Sequence, residues 1–220
     1  MTATRHELPP IASPEEWQAA RDALLAKEKA HMKAADDLAA ERRRLPMVPF
    51  TKPYEFDSPE GKQSLLDLFD GRPQLVVYHF MLYPGTNDAV CPGCSMIVDN
   101  LPHLAHLHAR NVTLKVVAPA PLAQIEQFKT RMGWDVPFVS SNGTEFPDDC
   151  GVGSAFGVSV FLRDGDQVYR TYFTSGRGGE QFLVTHRYLD VTPLGRQEAW
   201  EKESHGDAGP SEWWRLHDEY

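Results

Sequence analysis

The stretch Leu75-Val76-Val77-Tyr78-His79-Phe80-Met81-Leu82, followed after a loop by Cys91-Pro92-Gly93-Cys94, decides the fold. The first part is a continuous apolar and aromatic run interrupted only by His79, the pattern of a buried strand. Tyr83 to Val90 reads as a loop. A helical pattern follows the C-x-x-C, with Met96, Ile97, Leu101, Leu104 and Leu107, and ends at Arg110-Asn111. Val112 to Ala118 is a second buried strand. Leu122 to Met132 is a helix closed by Gly133, and Pro137 to Ser140 is extended. Ser159 to Arg163 and Gln167 to Phe173 flank Asp164-Gly165 as a tight hairpin.

The order is strand, helix, strand, helix, β-hairpin. Helical crossovers imply a parallel pair, and the hairpin adds antiparallel strands on the other side. A C-x-x-C where the first strand meets its helix is the redox motif of a thioredoxin-like unit. The expected fold class is therefore α/β and thioredoxin-like: a mixed central sheet flanked by helices, with an N-terminal helical extension.

That extension runs from Pro14, with Ser13 as N-cap, to Arg44, without Gly or Pro inside. Trp17, Leu24, His31, Leu38 and Leu45 recur every seven residues along it. The stripe needs a cover, either the body or a second copy, and a homodimer is expected. Residues 46–73 form an entry segment with a short helix predicted near Lys62 to Phe69, closed by the turn Asp70-Gly71-Arg72-Pro73. The chain thus divides into a leading helix at 1–45, a thioredoxin-like domain at 46–197 and a tail at 198–220 that ends in aromatic residues packed on the body.

The chain has 220 residues, 41% hydrophobic and 24% charged, with a net charge of −9. Residues 1–45 balance eight basic against eight acidic side chains, so the acidity lies in the body. Such a chain is a poor binder of phosphate backbones, and nucleic acid is not expected as a partner. No apolar run reaches the ~18–20 residues that cross a bilayer, and residues 1–10 lack a secretory pattern. No membrane partner is expected, and the cytoplasm is the default compartment. Three cysteines are too few for a disulfide scaffold.

Cys91 falls at the start of a helix, with Pro92 pre-set for its first turn. Unpaired N–H groups and the helix dipole there favour a thiolate. Cys94 lies on the same side of the turn. Cys91 is therefore expected to attack and Cys94 to resolve the mixed disulfide or to condense with a sulfenic acid. Electrons would come from a thiol donor, and the substrate would be a small-molecule or protein disulfide or a peroxide. No organic cofactor is implied. The alternatives are a copper- or zinc-binding module using Cys91, Cys94 and His186, and an interaction protein that keeps the fold without the chemistry.

Peroxiredoxins carry a proline seven residues, and a Thr or Ser three residues, before the attacking cysteine. Pro84 fills the first position here, and Asp88 stands at the second. Thioredoxin-like enzymes place a cis-proline opposite the cysteine pair, just before the hairpin; Ser159 aligns with it. Arg177, within Ser175-Gly176-Arg177-Gly178-Gly179, is a second candidate beside Asp88 for tuning the thiolate or meeting an anionic substrate. Cys150 is expected to be inert, and His79 to be a core histidine.

The chain also resembles a bacterial thioredoxin-like family of unassigned function, a domain-of-unknown-function group related to the peroxiredoxin branch of the fold. The resemblance rests on Trp134-Asp135-Val136-Pro137-Phe138-Val139-Ser140-Ser141, on Thr171-Tyr172-Phe173, on Arg177-Gly178, on Leu189-Asp190-Val191-Thr192-Pro193-Leu194-Gly195-Arg196, and on Trp213-Trp214-Arg215-Leu216-His217-Asp218-Glu219-Tyr220. It covers nearly the whole chain. It implies the fold and the N-terminal extension, and assigns no reaction.

Overall fold

The structure is a computed structural model that describes residues 9–86, 90–202 and 206–220. Helix α1 (Pro14–Arg42) is followed by strands β1 (Val48–Pro49), β2 (Glu55–Ser58), β3 (Gly61–Ser64) and β4 (Gln74–His79). Then come helices α2 (Pro92–Asp99) and α3 (Leu104–His108), β5 (Val112–Ala118), α4 (Leu122–Met132) and β6 (Phe138–Ser140). Helix α5 (Phe146–Asp149), strands β7 (Gly157–Asp164) and β8 (Gln167–Thr174) and helix α6 (Val184–Leu189) complete the order.

Among the described residues, eight strands form one sheet in the order β1-β8-β7-β4-β5-β6-β2-β3. β4 pairs parallel with β5, and β5 with β6; β4 pairs antiparallel with β7, and β7 with β8. This is the mixed thioredoxin-like sheet expected from the sequence, with α1 as an extension in front. Successive right-handed crossovers that step the same way across a sheet put their helices on one face. Accordingly α2 and α4 share a core, in which Met96, Ile97 and Val98 meet Ile125, Phe128 and Met132.

β4 is covered on both faces, and its side chains alternate between two cores. Val76, Tyr78 and Phe80 face the α2–α4 core. Leu75 and Val77 face the other, with Phe56, Leu68, Phe69, Phe146, Phe161 and Cys150. His79 points the same way as Leu75 and Val77. Its Nε2 lies 2.9 Å from Ser159 Oγ, and its ring stacks on Phe146 with centroids 5.6 Å apart. Burial, helped by the Arg170 charge, pushes its pKa down to about 3, so it is neutral.

Three expectations are corrected. The helix predicted near Lys62 to Phe69 is instead β3 and a 3-10 turn over Asp67–Phe69. Pro59 and Glu60 make the turn between β2 and β3, and Gly61, at φ 115°, opens β3 opposite Ser58. Asp67 Oδ2 then accepts from Ser64 N and Oγ at 2.8 and 2.7 Å, which ends the strand. The single helix predicted after Cys94 is two, because Pro102 cannot donate to a continuing helical ladder and disfavours a helical Leu101. The strand predicted to reach Leu82 ends at His79, after which Phe80 N still donates to Val117 O at 2.8 Å.

Helix α1 starts with a full capping box. Ser13 Oγ accepts from Glu16 N at 3.2 Å, and Glu16 Oε2 from Ser13 N at 2.9 Å. None of its residues is fully buried, and Trp17, Leu24, Met32 and Leu38 are exposed. Among the described residues no helix is long and apolar enough to cross a membrane.

Phe146 is fully buried and meets Tyr54, Phe56 and Phe161 with ring centroids 4.9–6.1 Å apart. Phe146→Ala should therefore cost about 3–5 kcal/mol, read from urea unfolding of the two proteins, because it empties the centre of the second core. A loss under about 1 kcal/mol would mean that this core collapses onto the gap.

Candidate active site at the first turn of helix α2

Cys91 is the N-cap of α2 and Pro92 its first residue. An N-cap side chain accepts from the free N–H groups of the first turn, and here the acceptor is sulfur. Cys94 N lies 3.4 Å from Cys91 Sγ. Cys91 is half-buried, Cys94 is buried beneath it, and both are free thiols. Tyr78, on the strand that feeds the site, places its hydroxyl 3.5 Å from Cys94 O.

The two thiols are pushed in opposite directions. A hydrogen bond from the Cys94 thiol holds Cys91 below the ordinary thiol value; partial burial opposes this, and the N–H groups of Cys94 and Gly93 add to it. The same hydrogen bond and burial drive Cys94 well above the ordinary value. The two directions favour the thiolate at Cys91 and the proton on Cys94.

A cavity of about 180 Å³ opens beside the pair. Ile97, Phe156, Leu183 and Trp214 supply most of its apolar wall, with Arg177 and Glu180 also in the lining. Arg177 was a sequence candidate and does reach the cavity. Its guanidinium is exposed and pairs with another lining residue: Nε lies 3.0 Å from Glu180 Oε1, and the group stacks 4.6 Å from the Trp200 ring centroid. Asp88 lies outside the described residues. Pro84 opens a turn whose ends are tied down, with Gln124 Nε2 donating to Tyr83 O at 2.8 Å and Gly85 N to Gln124 Oε1 at 3.1 Å.

Ser159 does not face the cysteines. It lies on the second-core side of β7, bonded to His79. Phe156, just before β7, is the residue that meets the pair across the cavity. No peptide bond in the described residues is cis. His186 does not join Cys91 and Cys94 either. It is buried against Trp213 and Trp214, at 6.2 and 5.7 Å between ring centroids. Among the described residues no three His, Cys, Asp or Glu side chains converge as a metal-binding group, so the copper or zinc set is not assembled. Cys150 is fully buried in the second core, and burial pushes its thiol up to about 12.

Sequence reasoning missed Gly93 and Trp214 as a pair. A β-carbon on Gly93 would lie 2.6 Å from Trp214 Cε3, so the indole rests directly on the backbone between the two cysteines. The tail that carries it is held at several points. Trp213 Nε1 donates to Glu198 Oε1 at 2.7 Å, and Ser211 N to the same oxygen at 3.2 Å. Arg131 grips Asp218 at 2.8 and 3.1 Å, and His217 Nδ1 lies 2.8 Å from Asp99 Oδ1.

A cysteine pair on the first turn of the helix after a central strand, in this sheet order, defines a thioredoxin-like protein. Residues 6–220 match the family described as "Bacterial protein of unknown function (DUF899)". The chain belongs to that family. No curated protein matches it. Among solved structures, the peroxidoxin BcpB of Mycobacterium tuberculosis is similar at 17% identity and a TM-score of 0.45, over 66% of this chain and 96% of that one. The pneumococcal exposed lipoprotein thioredoxin of Streptococcus pneumoniae is similar at 12% identity and a TM-score of 0.42, over 57% of this chain and 90% of that one.

The thiolate assignment is checked by the pH dependence of iodoacetamide reaction at Cys91. Its midpoint should fall below the ~8.5 of a free cysteine and rise in Cys94→Ala, which removes the S–H donor. An unchanged midpoint in the variant would show that Cys94 does not tune Cys91.

Proposed function

We propose that the protein is a thiol-dependent oxidoreductase working through the Cys91/Cys94 pair. The observation that carries this reading is the pairing of a half-buried sulfur, hydrogen-bonded at a helix start, with a second, proton-bearing thiol beneath it. With a disulfide substrate, the Cys91 thiolate attacks one sulfur, forming a mixed disulfide and releasing a thiolate. Cys94 gives up its proton and attacks the Cys91 sulfur, which closes the Cys91–Cys94 bond and releases the second thiolate. With a hydroperoxide, Cys91 would become a sulfenic acid as the alcohol leaves, and Cys94 would condense with it, releasing water. In either case an external thiol donor returns the pair to the reduced form.

Mild oxidation of the folded protein should lower its intact mass by two hydrogens, with Cys91 and Cys94 joined on peptide mapping. Cys91→Ser should abolish disulfide turnover. Cys94→Ser should still react once and stop at the mixed disulfide. Turnover that survives Cys91→Ser would remove the pair from the mechanism.

The exposed apolar residues of α1 support a second copy of the chain as its cover. Light scattering at micromolar concentration should then give twice the monomer mass; a monomer would refute this.

A further inference from the structure

We infer that Trp214 and the tail behind it restrict the Cys91/Cys94 pair to small, uncharged organic disulfides and bar protein disulfides from it. This deepens the oxidoreductase reading and rests on it.

Size is the first argument. The cavity of about 180 Å³ is smaller than the ~300–1,000 Å³ of sites for drug-sized ligands. A protein disulfide reaches an attacking thiolate on a length of chain, and that chain must lie across the surface beside the thiol. Here that surface is occupied. The Trp214 indole sits on Gly93 so closely that even a methyl group there would displace it. Burial of Leu216 and the ties to Glu198, Asp99 and Arg131 hold the tail in place on both sides of the indole.

Charge is the second. The rim carries Arg177, with Arg196 behind it, and both already have carboxylate partners within the protein. Glu180 pairs with Arg177 at 3.0 Å and with Arg196 at 3.4 Å, and Asp190 holds Arg196 at 2.7 Å. An anionic substrate would have to compete with Glu180 for the Arg177 guanidinium. The rest of the wall is apolar and favours apolar substituents.

The third argument separates disulfides from peroxides. Among the described residues, the cavity lining holds no Ser, Thr or Tyr hydroxyl to donate to a peroxide oxygen, and its one guanidinium is shared with Glu180. Exchange between sulfurs needs only the attacking thiolate and a thiol to follow it.

Two measurements on the full chain test this. In the first, reduced protein is reacted with N-ethylmaleimide, and separately with a maleimide on a long polyethylene glycol chain, and labelling of Cys91 is followed by peptide mapping. Relative to urea-unfolded protein, the bulky reagent should be slowed at least about tenfold more than the small one. Trp214→Ala should recover most of that ratio. So should Glu198→Ala, which loosens the tail away from the cavity and guards against a folding defect in the first variant. In the second, with dithiothreitol as donor, the protein should turn over 2-hydroxyethyl disulfide and leave insulin disulfides almost untouched. Trp214→Ala should raise the insulin rate relative to the small substrate by at least about tenfold.

Equal slowing of the two maleimides in the wild type, or an insulin rate matching that of the small disulfide, would overturn the inference. Strong shielding of Cys91 with no turnover of any disulfide would instead overturn the oxidoreductase reading, and the substrate assignment with it.

Discussion

Burial of β4 on both faces is the constraint around which the molecule is arranged. A strand with parallel β5 on one side and antiparallel β7 on the other has no edge, so all its backbone groups are committed to the sheet. Its side chains must then serve two cores in alternation. Tyr78 and Phe80 fill the one beneath α2 and α4, and Leu75, Val77 and His79 the one beneath β2 and α5. The cysteine helix packs against this strand, with the Tyr78 hydroxyl 3.5 Å from Cys94 O and both residues in one core. The position of Cys91 is therefore inherited from the centre of the sheet, while its reactivity is set locally by the first turn of α2.

The two contributions have different physical origins. The sheet supplies a fixed place. The first turn supplies electrostatics, since a sulfur at an N-cap receives N–H groups that no helical carbonyl can reach. Cys94 adds a thiol donor whose own ionisation is suppressed by burial beside it. One thiol is made easier to ionise because the other is made harder, so the pair is asymmetric before any substrate arrives.

Much of this was legible in the sequence. The runs Leu75–His79 and Val112–Ala118, the α4 pattern closed by Gly133 and the Asp164-Gly165 turn carry strong local signals, and the C-x-x-C falls where the first crossover helix must start. Other features had no such signal or a misread one. β3 is polar, so it shows no alternation, and only its pairing with β2 makes it a strand. The break at Leu101-Pro102 was signalled by the proline and overridden by the apolar spacing around it. Ser159 aligns with the residue that faces the cysteines in thioredoxin-like enzymes, but strand parity turns it to the other core, and Phe156 lines the cavity beside the pair. The seat of Trp214 on Gly93 joins distant parts of the chain, and no local pattern announces it. A tail rich in aromatics and a glycine between two cysteines were the separate halves of that signal.

The burial of Cys150 bears on which disulfides the folded chain can form. Three cysteines admit three pairwise disulfides. The sheet lies between Cys150 in one core and Cys94 in the other, and its apolar surroundings keep the third sulfur protonated. Only one bond is then within reach in the folded chain. The architecture handles its three thiols by partition: one is set apart from the other two without being removed.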